Sequence, residues 1–297
     1  MNVKQYRQRY EEEIASADPY AAKTVPDTRA LLAEKAGDAD ARVEAIKSTE
    51  MDRENLRPLV EQYLRTLRDG DESVGVRLAA LDAIKAAEFL GPRFDAYRAD
   101  YLQTLREVAA SARARKLREA VLEVLAIHKD PYAQDVLLQG LRDKKSALVP
   151  SAKAVQFLSY DDHAAASPTV RAVFEQADNT TKQEALRLLA SDPASEGLFL
   201  KLLKDKSQRS TIRQLSAVGL QNVNPKAFEA AARKIVTDKD EYQEIQASCL
   251  AALTTTQGSV AALADKGFAE RLSKLRSETR STNLRSSIKR FLRAAGR

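Results

Sequence analysis

The chain has 297 residues, 44% hydrophobic and 30% charged, which excludes a disordered polymer and leaves ample apolar side chain for a core. Aromatics make up 6% with no Trp, and the wealth of Ala, Leu, Arg, Lys and Glu favours helix throughout. A single cysteine, Cys249, excludes an internal disulfide framework and suits a reducing compartment, so the expected location is cytoplasmic.

From the start, "MNVKQYRQRYEEE" has no apolar stretch behind its basic residues and does not read as a secretory signal. Residues 1–26 read as a capping helix and an irregular connection through "SADPYAAKTVPD". No later segment reaches the ~18 uninterrupted apolar residues that a spanning helix requires. Nor is there a sustained period-two run of β-branched and aromatic residues bounded by turns, so the expected class is all-α.

A nine-residue outline then recurs: apolar, basic, two free, small, two free, small or apolar, Leu or Ile. With its second position as anchor, it falls at Arg42, Arg77, Arg118, Ser151, Lys182, Arg213, Gln246 and Arg285. The windows run from "ARVEAIKST" and "VRLAALDAI" through "IRQLSAVGL" to "LRSSIKRFL", with spacings of 35, 41, 33, 31, 31, 33 and 39 residues. Self-similarity at this period marks a stacked repeat. At 100° per residue, positions −1, +3, +6 and +7 share one stripe, which predicts a buried helix face. About a turn after most windows comes a breaker followed by Pro: Gly91-Pro92, Asp130-Pro131, Ser167-Pro168, Asp192-Pro193 and Asn224-Pro225. A polar cap with Pro at the first helical position is a helix start, so each unit is expected to be an opening helix, a turn and a motif helix.

Paired helices with a Pro-started first member and a "VRxxAxxAL"-like second resemble HEAT repeats, and the units of 31 to 33 residues are similar to the compact bacterial type first noted in phycobilisome lyases. The resemblance covers roughly residues 27–297. It implies an α-solenoid, a right-handed superhelix of about eight helix pairs: a repeat array over 27–264 closed by a basic capping repeat over 265–297. The chain departs from the family at the degenerate Arg42 unit, at Ser151 and Gln246, which lack a basic anchor, and in having no regular Asp before each Arg.

Residues that could carry chemistry are few. There are two histidines, His128 and His163, and "YDDH" from Tyr160 to His163 reads as a turn before the next helix start, while "IHKDP" places His128 at a helix end. Cys249 falls at a small +3 position and reads as core. Deoxyhypusine hydroxylase-like proteins hold iron with His-Glu pairs, and neither histidine here is followed by Glu; alkylpurine DNA glycosylase-like proteins use Trp, which is absent. The expectation is no catalytic residue, no metal, no cofactor and no enzyme.

The face opposite the stripe carries positions +1, +5 and +8, which the resemblance places along a concave groove; it includes Gln183, Arg187, Gln214, Val218 and Gln221. Small, amide and mildly apolar side chains there suit a peptide or protein helix. From Asp265 to Arg297 there are ten Lys or Arg against three Asp or Glu, a net of +7 in a chain of +6. Arg285, Lys289, Arg290, Arg293 and Arg297 recur at helical spacing in this end. The expected function is a non-enzymatic scaffold or adaptor that binds a protein partner, acidic in character, along the groove or at the basic end. Nucleic-acid binding by the basic end is the alternative, with only Phe268 and Phe291 there to stack on bases.

Overall fold

A computed structural model describes residues 28–297 except 36, 53–54, 162–165 and 256–259; the expected capping helix at 1–26 and the last two residues of "YDDH" lie outside the described residues. Those residues form helices and connections with no strand, an all-α chain. It divides into two compact units, one ending at Leu125 and the other beginning at Ala126.

In the first unit the helices are α1 (Thr28–Ala33), α2 (Ala39–Ser48), α3 (Leu56–Arg68), α4 (Val74–Ala87), α5 (Asp95–Ser111) and most of α6 (Arg115–Ile127). The second holds α7 (Pro131–Arg142), α8 (Ser151–Leu158), α9 (Ser167–Phe174), α10 (Asn179–Leu189), α11 (Glu196–Lys204) and α12 (Ser210–Val223). It continues with α13 (Pro225–Thr237), α14 (Gln243–Thr255), α15 (Val260–Ala264), α16 (Lys266–Glu278) and α17 (Thr282–Ala294). They work as pairs. In the first unit α1 packs on α3 and α3 on α5, while α2 packs on α4. In the second, first helices stack as α7 on α9 and α11 on α13 on α16; second helices stack as α8, α10, α12, α14 and α17 in succession. First on first and second on second is solenoid stacking, in which each pair covers the apolar face of its neighbour.

All eight anchors land on second helices, and seven of them are the fourth residue of their helix; Ser151 opens α8 instead. The reason is upstream. Gly140 in α7 lets the following connection cross so closely that a Cβ there would sit 2.9 Å from the Ala147 backbone. The chain is still crossing when other units have already begun to coil.

Burial refines the expected stripe. Position +3 is buried in every unit, from Ala45 to Ile288, whereas +6 is only half-buried at Ala83, Leu188 and Ala252. Position +4, omitted from the expected stripe, is buried at Ile46, Leu81, Leu122, Val155, Leu186, Ala217 and Leu250. A second helix has a neighbour before it, one after it and its own partner behind, so the buried arc is wide. Its centre lies at the anchor itself. That is why Arg42, Arg77, Arg213 and Gln246 are buried, whereas Arg285 is exposed.

Three of the five proline starts behave as expected. The side chains of Asp130, Asp192 and Asn224 accept backbone N–H bonds from Tyr132 (3.0 Å), Ala194 (3.2 Å) and Ala227 (3.0 Å). Pro193 opens a short 3-10 turn that leads into α11. Ser167 lies inside α9 and caps nothing, and Gly91, with φ at 61°, kinks a 3-10 segment so that α5 begins three residues past Pro92.

Candidate functional site: second-helix face and basic terminal pair

A guanidinium at the middle of a buried face must be hydrogen-bonded or it destabilises the fold. Arg213 donates from Nε to the Leu203 carbonyl at 2.9 Å, which caps α11, and from both terminal nitrogens to Glu241 at 2.7 and 2.6 Å. The pair is 0% and 2% exposed. Arg42 holds Glu72 in the same two-pronged way, at 3.1 and 2.9 Å. Gln246 donates to the carbonyls of Val236 and Asp238, so an amide does the capping where no cation stands. Both carboxylates occupy the fifth position before the next anchor, inside "DGDES" and "DKDEY". The sequence has no regular Asp before each Arg, and in two units a Glu is the acidic partner of the anchor. Glu241 feels burial pushing its carboxyl up, and the Arg213 bonds with the Tyr242 N–H outweigh that and hold it low. The Arg213 guanidinium is raised, chiefly by its bonds to Glu241 against burial.

On the face of the second helices opposite the buried stripe, Gln183 and Arg187 sit on α10 and Gln214, Val218 and Gln221 on α12. The three glutamines are half-buried, and Arg187 is exposed and paired with Glu184 at 2.5 Å. Gln214 donates to the Ser248 hydroxyl of α14 at 3.1 Å, which joins successive helices across the face. Val218 stands 51% exposed among them, an apolar point on a polar surface. Arg187 and Asn222 line a cavity of about 250 Å3 together with Leu158, Ala166 and Leu188.

The five candidate cations of the terminal pair do not act alike. Arg285 donates to the Thr279 carbonyl at 2.6 Å and Arg297 to the Asp265 carbonyl at 3.2 Å, so both fasten the pair to itself. Lys289, Arg290 and Arg293 are exposed, with no hydrogen bond or ion pair among the described residues. Arg276 and Arg280 are in the same condition and were missed as candidates because they fall outside the final helix. Beneath the cations, Leu284, Ile288, Phe291 and Leu292 are buried, and the Phe268 and Phe291 rings meet edge-on with centroids 5.5 Å apart. Neither ring is accessible to a base.

Cys249 is fully buried, and burial pushes its thiol up to about 12, which leaves it inert as a nucleophile. Among the described residues no three His, Cys, Asp or Glu side chains converge as a metal-binding group, and no helix is long and apolar enough to cross a membrane.

No protein-family model and no curated protein matches the chain. Among solved structures it is similar to human deoxyhypusine hydroxylase in complex with glycerol, at 14% identity and a TM-score of 0.35, over 80% of this chain and 96% of that one. That finding corrects the expectation that the chain is not an enzyme. The exclusion rested on missing residue sets, and the chain to which this one is similar is itself an enzyme. At this level of likeness no activity transfers to the chain.

Proposed function

We propose that this is a HEAT-like helical-repeat protein of the cytoplasm that serves as a binding scaffold, with an acidic protein partner docked on its basic terminal pair and extended over the groove face of α10 and α12. The observation that carries the reading is the set Lys289, Arg290 and Arg293: three exposed cations on one helix with no counter-charge among the described residues. The buried side chains of Arg213 and Gln246, by contrast, find their partners inside the repeat. A cluster of cations left over on the surface adds attraction for an acidic partner and speeds encounter. Gln183, Arg187, Gln214 and Gln221, with Val218 among them, supply amide and apolar contact for an extended or helical segment.

Nucleic acid is the second reading, favoured by the same cations and opposed by the burial of both aromatic rings. The test is binding of an acidic helical peptide and of a DNA duplex of equal charge to the wild type and to Lys289→Gln/Arg290→Gln/Arg293→Gln. The proposal expects the peptide to bind more tightly than the duplex and to lose about tenfold or more in the triple variant. Duplex binding with a steep salt slope and weak peptide binding supports the second reading. Equal peptide binding by both proteins removes the basic end from the function.

A further inference from the structure

In two copies of the repeat, at Arg42 and Arg213, the buried anchor guanidinium is a socket filled by a carboxylate of the chain, and the copy at Arg77 has no such carboxylate. Arg77 is held as Arg213 is: each donates from Nε to the carbonyl ten residues before it, Leu67 at 3.0 Å and Leu203 at 2.9 Å. In Arg213 the two remaining nitrogens grip Glu241. In Arg77 they have no hydrogen-bond partner among the described residues. The fifth position before the next anchor, which holds Glu72 and Glu241 in the filled copies, is Arg113 here. Arg77 is 5% exposed, and it lines a cavity of about 400 Å3 together with Arg113, Ser111, Ala112 and Val74.

The charge balance favours an anion. Arg113 is exposed and has no ion pair or hydrogen bond among the described residues. Of the acidic groups nearby, Glu72 lines the cavity but is engaged by Arg42 and by the Ser73 N–H, and Asp69 is paired with Lys35 at 2.8 Å. Asp71 stands exposed at the rim. Burial pulls the Arg77 guanidinium below its ordinary value, with Asp69 opposing, whereas the filled copy at Arg213 is raised.

We propose that the cavity at Arg77 and Arg113 is a carboxylate-binding site, in which an external carboxylate takes the two-pronged place that Glu241 takes on Arg213. A guanidinium fork matches a planar carboxylate bidentately, and a buried fork is the stronger donor. The carboxylate comes either from an acidic side chain of a partner or from a free small acid. This site lies in the first unit, and the basic terminal pair belongs to the second.

The experiment uses the full chain at constant ionic strength, with chloride as the control anion, and reads thermal stability and calorimetric binding. The probes are acetate, glutarate and a Glu residue blocked at both ends. Saturable stabilisation by any of them beyond chloride supports the site; the blocked Glu binding more tightly points to a partner side chain, and glutarate binding more tightly points to a free acid. Arg113→Ala is expected to weaken binding about tenfold. Arg113→Glu restores the carboxylate of the other copies, and is expected to raise Tm by about 2–4 °C and to abolish the response to every probe. Absence of any response beyond chloride overturns the proposal, as does a response that survives Arg113→Glu. An Arg113→Glu chain less stable than Arg113→Ala overturns it too, and that comparison stands even where Arg77 itself cannot be replaced.

Discussion

At the bend between α13 and α14, Glu241 is 2% exposed and survives as an anion because Arg213 meets it with two nitrogens. Taking one partner away leaves the other charge buried alone, which costs about 3–5 kcal/mol. Glu241→Ala and Arg213→Ala are each expected to lose that much in urea unfolding followed by circular dichroism. The double replacement Arg213→Met/Glu241→Leu is expected to recover most of it, because two apolar side chains of similar volume need no counter-charge. A double variant as unstable as the singles would show that the Leu203 cap, not the ion pair, dominates at this anchor. The partner position of Glu241 was not legible in the sequence, although "DKDEY" and "DGDES" share it. Helical periodicity is a local signal, whereas the pair spans 28 residues and joins one unit to the next.

Among the elements, α12 packs against α11 through Gly219, where an added Cβ would come within 2.4 Å of the buried Phe199 ring. Gly219→Ala gains about 1 kcal/mol of helix propensity and loses about 1–3 kcal/mol to overpacking, so a net loss is expected. Pairing it with Phe199→Leu is expected to return part of the loss, and thermal melts of the three variants decide it. The connection after α11 carries an acid-sensitive device. Asp205 accepts bonds from the Ser207 hydroxyl (2.6 Å), the Gln208 amide (2.9 Å) and the Ser207 N–H (2.9 Å), which bring its carboxyl down to about 2. A carboxyl lowered on folding contributes stability that is present above its unfolded value, about 3.9, and lost as pH falls through the folded one. Glu241 shifts in the same direction. The urea midpoint is therefore expected to fall between about pH 4 and pH 2, and Asp205→Asn to flatten that limb. The helix starts at Asp130, Asp192 and Asn224 were legible because capping is local; Gly91-Pro92 was not, because a glycine at positive φ can equally end one helix or kink toward another.

For the molecule as a whole, the eightfold recurrence was legible because each second helix must fit the one before it, and that demand writes the same small and large residues at the same places. α17 packs on α14, and its exposed side carries Lys289, Arg290 and Arg293. The proposal makes residues 265–297 both a solvated cap and a docking end, and the two roles separate by experiment. A chain ending at Ala264 uncovers the face of α14 that α17 packs against. It is expected to melt lower and to self-associate with rising concentration in sedimentation, because a stack without a polar end exposes its apolar face. Lys289→Gln/Arg290→Gln/Arg293→Gln leaves Leu284, Ile288, Phe291 and Leu292 in place, and is expected to stay within about 0.5 kcal/mol of the wild type and remain monodisperse. A shortened chain as stable and monomeric as the full one would end the capping role, whatever the cations bind.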